Sequence, residues 1–497
     1  MLTPILENRP TAPRALFVDL NNSNVFPALA VGYLAAVLRR SDYQVEVLSP
    51  LSQGVPGVSR DLADTWKDHL MRRVYFSTHP MVVRFHDEMR RIYARGAGKP
   101  HPKLLGELDR ILRDRKPDVI LVSAYLDHRP SVEAIGARAA TAGIPVLLGG
   151  PVFNHPRIAE EWRDIPGVTA IFGGEAEEDL PAICDDLIAG RSPLAEGIVR
   201  EGRPLLAPRL ATLDDLPIPD FSDFPWELYK SRVLTVMTGR GCEWGRCAFC
   251  SDVITANGRG FRSRPLDRVL EELAQQSRAY DTRNTFFLDI KLNSDLQMWR
   301  GLIDNYQRVL PGGKWVGVVH VAARGENGLD RDALHAAKAA GLTRVSFGLE
   351  SGSEVLNRRM GKGTSIPRTV EFLEDAKAAG LSVRTTMMLG FPGETEDDVW
   401  QSAAFLDQYG HLLDRVRISR FKAIPGTRFE RLHTRFPDRY RDLEDFRWRY
   451  GEGRADYRYR PALAAGYRKA KARVLNQVFD INRKPLEDDA AMFNGLM

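Results

Sequence analysis

The chain has 497 residues, 70 basic and 65 acidic, and its net charge of +5 gives no reason to expect a polyanionic partner. Its length accommodates two to four domains of roughly 150 residues, each with its own apolar core. Of four cysteines, three crowd into nine residues, which excludes a secreted disulfide framework and points to a metal site in a reducing compartment. The first residues, MLTPILENRPTAPR, lack a signal-peptide pattern, and the longest apolar run, Phe26 to Leu38, is too short to span a bilayer. The expected location is the cytoplasm, with no membrane partner.

From the N-terminus, Ala15 to Leu20 reads as a strand, Phe26 to Arg40 as a helix and Val45 to Leu48 as a second strand, the opening of a parallel α/β domain. Residues 51–115 turn polar and helical, with stretches such as HDEMRRIYARG and KLLGELDRILRDR, and read as a helical insertion. The α/β rhythm returns with strands at Asp118 to Ser123, Pro145 to Leu148 and Val168 to Phe172, and helices at Val132 to Ala142 and Asp179 to Ile188. Such a sheet binds ligands beyond its carboxyl strand ends, where Gly149-Gly150-Pro151 and Gly173-Gly174-Glu175 fall. This first domain spans 1–205, and the Pro- and Asp-rich stretch at 206–231 reads as a linker.

Residues 232–430 alternate regularly, with strands near Val233 to Met237, Thr285 to Ile290, Trp315 to Ala322, Arg344 to Leu349, Val383 to Leu389 and Arg415 to Arg420. Six βα units close part of a TIM-type barrel, whose functional groups gather at the C-terminal strand ends. Residues 431–497, rich in Arg and Tyr, read as a small C-terminal helical region able to dock substrate.

The cysteines follow the first barrel strand. In RGCEWGRCAFC, Cys242, Cys247 and Cys250 are separated by four and then two residues, so one loop supplies three thiolates to a cubane cluster and leaves one iron open. An open iron can chelate the amino and carboxylate groups of S-adenosylmethionine and pass an electron into its carbon–sulfur bond. Zinc is the other metal to weigh, but structural zinc usually takes four ligands, and no second CxxC or adjacent His supplies the fourth.

These residues resemble the radical S-adenosylmethionine superfamily, whose usual motif has three residues, not four, in the first gap; Phe249 before the last cysteine matches it. The resemblance implies a [4Fe-4S] cluster on the three cysteines and an external one-electron reductant such as flavodoxin or ferredoxin. It extends to FFLDIKL, where Asp289 would meet the methionyl amino group, and to RVSFGLESGSEVLNRRMGKG, where Glu350 and Ser351 would lie near the ribose or methionyl part. It includes TTMMLGFPGETEDDV, where Gly390, Pro392 and Gly393 would let backbone approach adenine and Thr395 would cap a helix. Lys291, Asn293, His320 and Arg384 also fall near strand ends.

The N-terminal half, to about residue 190, resembles the cobalamin-binding domain of cobalamin-dependent radical enzymes. That resemblance implies contacts from Phe26, Pro27, Ser123, Gly149, Gly150, Gly174 and Glu175. No D-x-H-x-x-G follows the first strand, so a lower cobalt ligand is not evident; His128 and His155 are the only nearby histidines. LNNSNVFP contains no glycine, which argues against a dinucleotide site. Cys184, in AICDDLIAG, reads as a small core residue.

What the resemblance implies is C-methyl transfer: one S-adenosylmethionine methylates cobalamin to methylcobalamin, and a second gives the radical that activates an unactivated carbon. Cyclisation or rearrangement without methyl transfer, and a non-catalytic cobalamin- or S-adenosylmethionine-binding regulator, are the alternatives. The expected substrate is a peptide or natural-product precursor. Nucleic acid is disfavoured, since no RNA-binding motif is appended.

Overall fold

The computed structural model describes residues 12–57, 59, 62–79, 81–82, 85, 88–89, 100–199, 209–252 and 260–496. The chain forms two compact units, one of residues 1–57, 97–211 and 215–228, the other of 58–96, 212–214 and 229–497.

In the first unit, β1 (Arg14–Asp19), β2 (Gln44–Leu48), β3 (Val119–Ser123), β4 (Val146–Gly149) and β5 (Ala170–Ile171) form one parallel sheet in the order β2-β1-β3-β4-β5. The central strands β1, β3 and β4 are apolar on both faces because helices cover both sides, while the edge strand β2 carries Gln44 and Glu46. Leu16, Val18, Ile120, Val122 and Leu148 pack with Leu104, Leu108 and Ile111 of the helix Pro102–Asp114. The order reverses between β1 and β3, which makes the carboxyl ends of these two strands the switch point where such sheets hold ligands.

In the second unit, β6 (Leu234–Val236), β9 (Thr285–Phe287), β10 (Trp315–Val318), β11 (Leu342–Glu350), β12 (Ser382–Leu389) and β13 (Arg415–Arg420) lie in one sheet in sequence order. All pair in parallel, as the six-unit partial barrel requires. A short antiparallel ribbon of β7 (Gly239–Gly241) and β8 (Phe261–Ser263) follows the first strand.

Three expectations are corrected. Part of the supposed N-terminal insertion belongs with the barrel: the helix Trp66–Tyr75 packs on the helix Ala465–Asn482, with His69 against the Phe479 ring at 4.6 Å. Lys471 Nζ donates to the Phe76 carbonyl at 2.6 Å, and the Asp64 amide to that of Asn482 at 3.1 Å. Sequence alone reads the helix but not its distant partner. The stretch HDEMRRIYARG lies mostly outside the described residues.

The supposed linker is the second correction, since residues 215–228 are strapped to the first unit. Phe221 fills the space above Gly32, where a Cβ would lie 2.3 Å from its ring, and Arg39 pairs with Asp220 and Asp223 at 2.6 Å each. Residues 206–208, the start of that stretch, lie outside the described residues.

Third, the C-terminal region is not wholly helical and belongs to the barrel's unit. DFRWRYGEGRADYRYR folds as an antiparallel hairpin of β14 (Leu443–Arg449) and β15 (Arg454–Tyr459). Its alternation places Phe446, Trp448, Tyr457 and Tyr459 against a core that includes Phe391, Phe421 and Phe429, and leaves the arginines Arg447, Arg449 and Arg458 exposed.

Candidate active site

The cysteine loop begins where β6 turns into β7. Asp289, just beyond β9, is 3% exposed and accepts hydrogen bonds from the Thr238 hydroxyl at 2.7 Å, the Thr238 amide at 3.1 Å and the Gly239 amide at 2.9 Å. Burial pushes its carboxyl up to about 6 against the pull of these donors. The carboxylate of Asp289 thus holds the turn that launches the loop, where the resemblance implied a contact with the methionyl amino group. Beside it, buried Arg264 donates to the Met237 carbonyl at 2.9 Å and pairs with buried Glu272 at 2.6 Å.

Cys242, Cys247 and Cys250 form no disulfide, and all three are half-buried. Gly245, at φ +52°, lets the four-residue gap fold back on itself. Trp244 leaves that bulge and donates its indole N–H to the Gly361 carbonyl at 2.7 Å. Its ring occupies the place a Gly363 side chain would take, 2.4 Å from an ideal Cβ, and the Arg246 guanidinium lies over it at 5.1 Å. On the other side of the loop the Ala248 amide donates to Met360 O at 2.8 Å, and Arg428 donates to Arg246 O at 2.7 Å. Residues 360–363 therefore brace the loop from two sides.

Lys362 lies within that brace. Its ammonium pairs with Glu350 Oε1 at 3.1 Å, stands 5.8 Å from the Phe249 ring centre, and acts electrostatically on Cys247 and Cys250. Burial is the largest influence on the Cys247 thiol and pushes it up to about 11, so the thiolate form needs a positive partner such as iron. Glu350 also accepts from Thr386 Oγ1 at 3.2 Å and holds φ +60°, unusual for a residue with a side chain. Ser351 is fully buried, its hydroxyl 3.1 Å from that of Ser402 and accepting from the Ser353 amide at 3.1 Å, so its visible work is to build the turn.

Gly390 and Gly393 hold φ +81° and +84° in the GFPGET turn, which a buried carboxyl secures. Glu394 accepts from the Gly390 amide at 2.6 Å and the Tyr467 hydroxyl at 2.5 Å, while its carbonyl accepts from the Tyr459 hydroxyl at 2.6 Å. Burial raises the Glu394 carboxyl to about 8. Pro392 is buried in the same turn, and Thr395 caps the helix Glu396–Tyr409 through a capping box with Asp398.

Nearby, His320 and Asn293 exchange backbone and side-chain hydrogen bonds at 3.0 and 3.1 Å, and Lys291 pairs with Glu243 at 3.3 Å. His320 Nε2 is buried without a hydrogen-bond partner, and desolvation with Lys362 and Lys291 holds the ring's pKa down to about 3. Arg384 donates to Ser346 Oγ at 2.9 Å. Lys362 and Glu394 went unnoticed in the sequence, because neither residue type announces its burial.

In the first unit, Asp19 and Ser123 are register partners at the ends of β1 and β3, and Ser123 is paired with Gly149 on β4. Gly149 has only the Phe172 carbonyl near a would-be Cβ, at 4.0 Å, so space lies beside it. Gly150, at φ +134°, passes so close to Ala124 that a Cβ would sit 2.3 Å from its carbonyl oxygen. The Gly174 amide donates to Asn154 at 2.8 Å, and Glu175 accepts from the Leu210 amide at 2.8 Å. Phe26 and Pro27 lie in the segment after β1, half-buried and buried. His128 Nδ1 accepts from the Tyr125 amide at 3.2 Å, a local turn contact.

Three thiols on one braced loop fit a cubane cluster. A structural zinc would take a fourth protein ligand beside the three thiols, whereas a cubane cluster takes three and keeps one iron open. A cavity of about 500 Å³ lined by Ser277, Arg283, Asn284 and Lys314 adjoins the opposite, N-terminal ends of β9 and β10 and includes none of these groups. No helix among the described residues is long and apolar enough to cross a membrane.

The fold and loop define a partial-barrel domain with three thiols on one braced loop, and residues 236–406 match the family model described as the Radical SAM superfamily. Two solved structures share the fold of the chain. OxsB, a cobalamin-dependent S-adenosylmethionine radical enzyme solved with aqua-cobalamin and S-adenosylmethionine, superposes with a TM-score of 0.66 at 16% identity over 93% of this chain. The match spans 66% of that longer chain, just under two thirds. The radical S-adenosylmethionine methyltransferase TsrM of Kitasatospora setae gives 0.61 at 17% identity, covering 94% of this chain and 89% of its own. In sequence, an uncharacterized methyltransferase of Pyrococcus horikoshii is 27% identical over 338 residues, 65% of this chain and 70% of that protein. Further relatives at 27% identity are named as methylthiotransferases.

Proposed function

We propose that this protein is a cobalamin-dependent radical S-adenosylmethionine enzyme that transfers a methyl group to an unactivated carbon of a peptide or natural-product precursor. The observation that carries this reading is the joint presence of a braced three-thiol loop on a six-stranded partial barrel and a switch-point sheet with open, small-residue strand ends. When bound, the cluster and corrinoid would supply an electron for S-adenosylmethionine cleavage and a transferable methyl group.

Cys242, Cys247 and Cys250 would hold the cluster. Glu350 offers carboxylate acceptors beside it, and the Gly390–Gly393 turn offers backbone to a purine edge. Ser123, Gly149, Gly150 and Gly174 would border the corrinoid's nucleotide tail. The relatives named as methyltransferases favour methyl transfer over rearrangement. For methylthio transfer the thiol set is sparse, since the one cysteine outside the loop, Cys184, is buried with its thiol pushed up to about 12.

Anaerobic reconstitution tests the reading. It should give an iron–sulfur absorbance, reductant-dependent 5'-deoxyadenosine and bound corrinoid. With candidate substrates and deuterated methyl donor, product mass should rise by a labelled methyl group. Product without label identifies rearrangement, and absence of both spectrum and 5'-deoxyadenosine rejects the radical assignment.

A further inference from the structure

We propose that Lys362 is a fixed positive charge that raises the reduction potential of the cluster held by Cys242, Cys247 and Cys250, with Trp244 as the residue that sets its place; this rests on the function proposed above. Lys362 has 11% of its side chain exposed and acts electrostatically on two of the three thiols. It cannot swing away freely, because its neighbours on both sides are tied to the cysteine loop, Gly361 by the Trp244 indole N–H and Gly363 by the packed Trp244 ring. The Gly363 carbonyl also accepts from the Ala323 amide at 2.8 Å.

The site is cut to admit this charge. A Cβ on Gly348 would lie 2.3 Å from both Lys362 Nζ and Glu350 Oε1, so a side chain there would displace the pair. Reducing a cluster adds one negative charge to it. In a poorly solvated setting a nearby ammonium favours the reduced form, and a nearby carboxylate opposes it. Lys362 and Glu350 therefore pull the potential in opposite directions. The fourth residue in the first cysteine gap gains a role as well, since the enlarged bulge carries Trp244 out to the 361–363 backbone.

The test is a redox titration of the anaerobically reconstituted full chain without S-adenosylmethionine, followed by electron paramagnetic resonance, with iron and sulfide measured first. Lys362→Met should lower the potential enough to cut the reduced-to-oxidised ratio at a fixed applied potential at least tenfold, ~59 mV for a one-electron couple. Lys362→Arg should stay near wild type, and Glu350→Gln should move the potential upward. Trp244→Ala should shift it in the direction of Lys362→Met. An unchanged potential in Lys362→Met, or an equal fall in Met and Arg variants, overturns the inference. So does failure of both lysine variants to take up iron that the wild type takes up, which would make Lys362 a folding element. A wild type that takes up no cluster overturns the proposed function and this inference together; a wild-type cluster indifferent to these substitutions overturns the inference alone.

Discussion

The indole N–H of Trp244 meets the carbonyl of Gly361 at 2.7 Å, linking the cysteine loop to a segment 117 residues further along the chain. The bond adds to the Ala248, Arg428 and Lys291–Glu243 contacts that hold the loop. Trp244→Phe removes the donor but keeps most of the ring, a loss of ~1 kcal/mol locally. Trp244→Ala also empties the space over Gly363. Iron release from the reconstituted protein to a chelator should quicken slightly in the first and several-fold more in the second; equal rates in all three would refute the bracing role.

Gly149 and Gly150 are neighbours with opposite expected responses. Gly150→Ala forces a side chain onto a backbone at φ +134° and into the Ala124 carbonyl, at a cost of ~2–3 kcal/mol in urea denaturation. Gly149→Ala has room and should change stability by less than ~1 kcal/mol. If that room belongs to the corrinoid, Gly149→Ala should still weaken corrinoid uptake at least tenfold in an absorbance titration.

Glu394 gives a pH signature. Its carboxyl, ordinarily at 4.5, is raised to about 8 by burial, so the folded state favours the neutral form. The stability this contributes is complete below pH 4.5 and lost as pH rises through about 8, up to ~5 kcal/mol across that range. Glu394→Gln cannot ionise and lacks the decline. The wild-type minus variant difference in unfolding free energy should therefore fall between about pH 5 and pH 9; a flat difference would place the carboxyl in water.

Cys184 is fully buried, with its thiol pushed up to about 12 by desolvation. Alkylation of the native, cluster-free chain at mildly alkaline pH should label the half-buried Cys242 and Cys250, reach Cys247 more slowly because its thiol is raised, and leave Cys184 unmodified, as read by peptide mass spectrometry. Cluster loading should then protect the loop as well. Labelling of Cys184 before unfolding would refute its place in the core.

The barrel was legible because its strand-like runs recur at regular spacing between helical segments, and the structure keeps all six in sequence order. The hairpin at 443–459 was not, because its alternation of Arg and aromatic residues is short and broken by the turn at 450–453, and the core that selects the strand comes from Phe391, Phe421 and Phe429 far upstream. The three thiols announced themselves by spacing. Lys362 did not, since a lysine between two glycines looks like a solvated turn until its Glu350 partner and the Trp244 clamp are in view. Asp289 was found by position, while its partners, the Thr238 and Gly239 amides, belong to a different strand end.

The helix Trp66–Tyr75 enters the sequence inside the first unit's segment and packs on the helix Ala465–Asn482. During synthesis it must wait for about 400 residues to emerge before its partner exists. Cutting the gene after the first α/β unit would therefore not yield two self-sufficient halves. The downstream piece would lack the main-chain acceptor at Phe76 that Lys471 requires, and the upstream piece would carry an orphaned helix with His69 and Phe76, both buried in the intact chain, bare to water.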